Sequence, residues 1–197
     1  MSKAEQTRQF IIEKTAPIFN KKGFAGTSLS DMTNATGLTK GSIYGNFENK
    51  EEVTLAVYEH NTGQLWKNKN ACIAKHKNAY AQLIALVDFY RNSWKGILEN
   101  GGCPILNAAA ESDDTMPILK ARVKLSMGNW KKDISKIIEL GIEQKTFNKG
   151  INTNEYAILF IMMIEGGILL SKIADKPDSL NLALDRIVKI IDEEIVK

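Results

Sequence analysis

The chain has 197 residues, 44% of them hydrophobic and 25% charged, with only four prolines. Those proportions fit one or two folded domains with a buried core and exclude a disordered or disulfide-stapled chain. Net charge is +3, and the first fifty residues carry all of it, with seven basic residues against four acidic; the asymmetry draws attention to the N-terminus.

The first predicted helix covers residues 4–21, where Phe10, Ile11, Ile18 and Phe19 recur at helical spacing. Pro17 conflicts with it and is expected to kink or end it, and Gly23 is a plausible stop. Ser28 then opens a short helix as N-cap, with Asp31 three residues on as a capping-box partner. Leu29, Met32 and Thr33 are expected to face inward. Gly37 ends this helix in a left-handed conformation. Thr39 caps a second short helix over residues 40–46. Asn49, with Glu52 behind it, caps a third that reaches toward residue 69.

The remainder is helical by periodicity. Expected helices run from Ala79 to Leu98, from Pro104 to the break at Ser112-Asp113-Asp114, and from Ile118 to about Gln144. Thr153 or Asn154 opens the most apolar helix, which extends to about Ala174, and Leu180 to Val196 is the last. No β alternation is sustained, so the expected fold class is all-α.

Function classes narrow quickly. Cys72 and Cys103 lie 31 positions apart and the only histidines are His60 and His76, so neither a metal site nor a cofactor is expected. There is no nucleophile-elbow or phosphate-loop motif and no catalytic set, hence no enzyme. No apolar leader is seen. The run Ala157 to Leu170 contains Glu165 and two glycines and is shorter than the roughly 20 residues of a membrane span. A cytoplasmic protein with no membrane association is expected.

The informative segment is Thr27 to Phe47. Two short capped helices flank Gly37-Leu38-Thr39, which is the layout of a helix-turn-helix whose second helix enters the DNA major groove. Leu29, Met32, Leu38 and Ile43 supply the packing between the two. The outer face of the second helix presents Lys40, Ser42, Tyr44 and Asn46, interleaved with Gly41 and Gly45. Hydroxyl, amide and ammonium groups are what phosphates and base edges require, and Gly41 allows close backbone approach. Thr27, Ser28 and Lys50 flank the motif and suit phosphates, aided by amides at the start of the Ser28 helix.

Phe19, Gly23-Phe24, Thr27-Ser28, Asp31-Met32, the run Gly37-Leu38-Thr39-Lys40-Gly41-Ser42-Ile43-Tyr44, Asn46-Phe47 and Lys50-Glu51 carry a resemblance. The segment from Lys21 to Val57 resembles the DNA-binding domain of the TetR family of bacterial transcription regulators. It departs from the family's pattern at Thr33 and Thr36, where alanine is usual or common, and at Gly45, where tyrosine is frequent; the last bears on which bases are read. The resemblance implies an N-terminal three-helix DNA-binding domain (1–48) and a C-terminal helical ligand-binding and dimerisation domain (49–197). It also implies a homodimer through the last two helices, a palindromic double-stranded operator and release by a small molecule.

Periodicity agrees with a dimer: residues 157–164 are apolar nearly all round, and Leu180, Leu184, Ile187, Ile191 and Ile195 form a stripe. For a family-type pocket the candidates are Trp66, Phe89, Tyr90, Trp94, Met116, Met127 and Trp130, together with Cys103 and with Glu165 as an acidic residue within an apolar run. The run Gly101-Gly102-Cys103-Pro104-Ile105-Leu106-Asn107 with Glu111 is similar to a motif in a subgroup of these regulators, some of which sense electrophiles or oxidants through that cysteine. A thiol sensor acting through Cys103 is therefore an alternative, and a helical interaction module without DNA binding is another.

Overall fold

The computed structural model of the chain describes residues 2–197. Its helices are α1 (Lys3–Gly26), α2 (Leu29–Thr36), α3 (Lys40–Tyr44), α4 (Lys50–Ile73), α5 (Ala79–Glu99), α6 (Pro104–Ser112), α7 (Pro117–Glu143), α8 (Thr153–Ala174) and α9 (Asp178–Ile190), followed by a π-helical turn at Ile191–Ile195. Among the described residues there is no strand; an isolated bridge pairs Phe147 with Val196.

Packing divides the chain into two compact units. The first gathers the residues up to Leu65 with Asn100–Val123; the second gathers Trp66–Glu99 with Lys124–Lys197. This division by packing differs from a motif-based cut at residue 48, because α6 packs against α1.

In the first unit, Ser2 and Glu5 close a reciprocal cap on α1. Ile11, Ile12, Ala16, Phe19 and Phe24 form its buried face. Backbone angles stay helical through Pro17, and the break comes at Gly23, with φ of 80° and ψ of 167°. Pro17 therefore neither ends α1 nor marks its break. A Cβ on Gly23 would lie 2.2 Å from Glu111 Oε1 on α6, and Glu111 Oε2 accepts from the Ala25 amide at 3.0 Å. Gly23 thus serves both a left-handed elbow and a close helix approach. One turn earlier, the Asn20 side-chain amide donates to the carbonyls of Asn100 and Gly102, and Asn107 donates to Asn20 and Gly101. These bonds tie the loop Asn100–Gly102 to α1 and α6.

In the second unit, α8 packs along α9, and α5 packs on α9. Gly167 sets the α8–α9 distance: a Cβ there would lie 3.0 Å from Leu180 Cα and 3.2 Å from Ala183 Cβ. The neighbouring Gly166 has nothing within 4 Å. The buried Ser171 hydroxyl accepts from the Leu180 amide at 2.8 Å and so fixes the start of α9. Asn152, rather than Thr153 or Asn154, is the N-cap of α8, accepting from the Glu155 amide. The last turn widens to a π-helix, tied down by Asn148, whose amides donate to Glu194, Ile195 and Val196 carbonyls.

Helix α8 is 22 residues long, in line with the helix expected up to about Ala174, and although its run Ala157 to Leu170 is short, the whole helix is enough, by length and composition, to cross a membrane; 44% of its most apolar window is buried within the fold.

Candidate functional site

The first unit positions α3 from below. Ile43 is fully buried and Phe47 nearly so, and full burial of such side chains is worth about 1.5–3 kcal/mol each. Arg8 of α1, a residue the motif did not flag, clamps this end. Its guanidinium lies 4.0 Å above the Phe47 ring. One arm donates to the Asn46 carbonyl at 2.6 Å and the other to Glu52 at 2.7 Å. The Glu48 amide, and after it Arg8, hold the Glu52 carboxyl below its usual range against the opposing effect of burial.

Helix α2 is fixed by its caps. The Asp31 amide donates to Ser28 Oγ at 3.1 Å, and the Ser28 amide donates to Asp31 Oδ2 at 2.9 Å. Gly37, with φ of 69°, closes the other end. The Lys22 ammonium lies 2.6 Å from Asp31 Oδ1. That bond first, and the bonds from Ser28 next, pull the Asp31 carboxyl down to about 2.

The expected DNA contacts divide by exposure. Lys40, Gly41 and Ser42 are exposed and Tyr44 is half-exposed, so α3 carries a polar outer face. A Cβ on Gly41 would meet nothing closer than 3.9 Å within the chain, leaving its outer surface open. Asn46 is half-buried and its amide donates to the Ser42 carbonyl at 2.8 Å, closing the end of α3. Ser28 is exposed, but its amide and hydroxyl are engaged with Asp31, so the anion site expected at this helix start is narrowed by an internal carboxylate. Thr27 is fully buried and its hydroxyl donates to the Gly23 carbonyl at 2.7 Å; the side chain supports the elbow and offers no surface to a phosphate. Lys50 is half-buried and reaches the Ala25 carbonyl at 3.3 Å.

The second unit joins three of the expected pocket residues. Trp66 of α4 and Trp130 of α7 meet edge-to-face at 5.6 Å, and Trp130 stacks on Tyr90 of α5 at 6.0 Å. Trp94 is buried one turn beyond Tyr90, Met127 is half-buried one turn before Trp130, and Glu165 is buried on α8. Cys103 belongs to the first unit, where it is 3% exposed at the start of α6.

Sequence patterning missed Lys69. Its side chain is 1% exposed, with Nζ 4.1 Å above the Trp66 ring and 3.6 Å from Asp133 Oδ2. Burial pushes the ammonium down to about 8, and Asp133 offsets this only in part. The available signal was the spacing: Trp66 with Lys69 and Trp130 with Asp133 are each three apart, one face of each helix.

A family model described as "Bacterial regulatory proteins, tetR family" matches residues 11–57, and one described as "Tetracyclin repressor-like, C-terminal domain" matches residues 79–187. A solved TetR transcriptional regulator from Chloroflexus aurantiacus J-10-FL is 33% identical, with a TM-score of 0.94 over 100% of this chain and 99% of that one. The chain belongs to the TetR family of transcription regulators. A TetR-family regulator from Cytophaga hutchinsonii is 37% identical, with a TM-score of 0.93 over 100% of this chain and 98% of that one. The HTH-type transcriptional repressor DhaR of Mycobacterium sp. (strain GP1) is 24% identical, over 88% of this chain and 86% of its own length. As a TetR-family member the protein is a DNA-binding transcription regulator and not an enzyme. That membership also displaces the reading of a helical module without DNA binding.

Proposed function

We propose that the chain is a homodimeric TetR-family repressor that binds a palindromic operator through α3 and leaves it when a small molecule binds. Residues 1–48 form the reading head on this view, and residues 49–197 form the ligand-binding and dimerisation part. The exposed polar face of α3, held from beneath by Ile43, Phe47 and Arg8, carries the reading. Lys40, Gly41, Ser42 and Tyr44 are its base and phosphate contacts. Ser28, Asn46 and Lys50 contribute at the margins once their internal bonds exchange for phosphate, and Thr27 contributes through the elbow it supports. The test is a mobility-shift titration against the DNA upstream of the protein's own gene. The Lys40→Ala/Tyr44→Ala variant should lose binding while its melting curve is retained; unchanged binding by that folded variant would refute the assignment.

Dimerisation is supported by an apolar stripe on α8. Ile158, Met162, Leu169, Leu170 and Ile173 are exposed along it, with Leu182 exposed on α9. A helix that leaves this many large apolar side chains exposed is suited to an interaction surface, and the family match favours a second copy as the occupant. Met162→Lys with Ile173→Lys should convert the dimer to monomer in sedimentation velocity. Ligand binding is preferred over thiol sensing as the releasing event because Cys103 is almost fully buried, which restricts reagent access.

A further inference from the structure

Two features of the second unit carry a cost that its own packing does not repay. Lys69 places an ammonium where 1% of the side chain reaches solvent, with a single carboxylate 3.6 Å away. Trp130 is fully buried and its Nε1 has no hydrogen-bond partner. A buried donor without an acceptor loses its hydration with nothing in return, and a buried cation with one imperfect partner loses more. The two groups belong to one array, since Lys69 lies over Trp66 and Trp66 touches Trp130. An apolar leucine or methionine at position 69 would pack the same space at less cost, so the cation calls for an account beyond packing.

Beside this array lies a groove of about 260 Å³, lined by Asn70, Ile73, Ala74, Asp133, Lys136 and Ile137. Asp133 belongs both to the groove wall and to the ion pair, and is 47% exposed. Lys69 itself does not line the groove, and the half-exposed Asp133 carboxylate is what links its ammonium to that wall. A second cationic residue, Lys136, stands on the same wall, and the remaining lining is largely aliphatic.

We propose that this is a site for a small organic anion, a carboxylate on a compact apolar or aromatic body, whose carboxylate replaces Asp133 at Lys69 while its body lies against Ile73, Ala74 and Ile137. The anion supplies a better-seated partner to the buried ammonium. The volume lies just under the roughly 300–1,000 Å³ of drug-sized pockets, which suits a one-ring or short-chain acid. The proposal rests on the ligand-release reading only for its consequence at DNA; binding itself stands apart from it.

The test titrates the full-length protein with benzoate, phenylacetate and hexanoate, each against its primary amide, by calorimetry and tryptophan emission. At least one acid should saturate, with its amide about tenfold weaker or worse, as expected for loss of a charge-assisted bond. Lys69→Met should erase that difference and Lys69→Arg should keep it. Asp133→Asn, with its fold verified by circular dichroism and a melting curve, should tighten acid binding several-fold by removing the internal competitor. The proposal is overturned if no acid saturates the wild type, if folded Lys69→Met binds acid as well as wild type does, or if Asp133→Asn weakens it. A mobility shift with the bound acid separates the two levels. Lys69-dependent binding that leaves the DNA complex intact upholds the site and sinks the release reading, whereas release that persists in Lys69→Met overturns the site.

Discussion

Replacing Lys69 by methionine should stabilise the protein at neutral pH, and the structure sets the size. The fold holds the ammonium at about 8 against an ordinary 10.5, chiefly because burial disfavours the charge. Each pH unit between the two values is worth about 1.4 kcal/mol, so the native state carries a cost of about 3 kcal/mol wherever both states are protonated. The sign follows from proton counts. Below pH 8 native and unfolded chains both hold the proton and the full cost is present. Between about 8 and 10.5 the native lysine is neutral while the unfolded one still binds its proton, so wild-type stability rises with pH across that window. Methionine has similar length, removes the charge and leaves Asp133 half-exposed and hydrated. Urea melts followed by circular dichroism at pH 7, 8, 9 and 10, at fixed protein concentration, should show the variant more stable by up to about 3 kcal/mol at pH 7. The two curves should converge toward pH 10. A variant no more stable than wild type at pH 7, or a gap that does not narrow with pH, would refute the reasoning.

Loss of the Ser28 cap by Ser28→Ala should cost about 1 kcal/mol, read from thermal melts. In the wild type, Asp31 contributes stability that is complete above its ordinary 3.8 and is lost as pH falls through about 2; carboxyl NMR showing an ordinary midpoint would contradict the Lys22 and Ser28 bonds. Gly167→Ala should destabilise by about 1–3 kcal/mol, because a methyl group meets the backbone of α9. Gly128→Ala, where nothing lies within 4 Å, should instead gain up to about 1 kcal/mol from helix propensity; equal effects at the two sites would contradict the α8–α9 packing. Lys40→Ala should weaken operator binding about equally across operator variants and reduce the salt slope by about one, whereas a loss confined to one base pair would make it a base reader.

The helix-turn-helix was legible because its chemistry is local. Ser28, Asp31, Gly37 and Thr39 act on backbone groups within four residues, and the structure shows each cap as its residue type requires. Helix ends were less legible where two polar residues competed, as at Asn152 and Thr153, and where tertiary packing overrides propensity, as at Pro17. Burial was the least legible property. Thr27 and Asn46 have the composition of contact residues, yet they bond inward to an elbow and a helix end. Arg8 and Lys69 read as surface charges until distant chain segments bring Phe47 and Asp133 against them. For Lys69 the only trace in the sequence is the matching three-residue spacing of Trp66 with Lys69 and of Trp130 with Asp133, and it does not say that the two helices meet.

Helix α3 has five residues, well short of the roughly 12–15 at which an isolated helix becomes even marginal in water. Its shape is lent by Ile43 beneath it, by the Thr39 cap at its start and by the Arg8–Phe47 stack at its end, rather than by the Lys40 side chain facing outward. Lys40, Ser42 and Tyr44 can accordingly be exchanged at little thermodynamic penalty. If α3 reads the operator as proposed, a lineage carrying this scaffold is thereby able to drift toward new operators one outward residue at a time, without passing through unfolded intermediates.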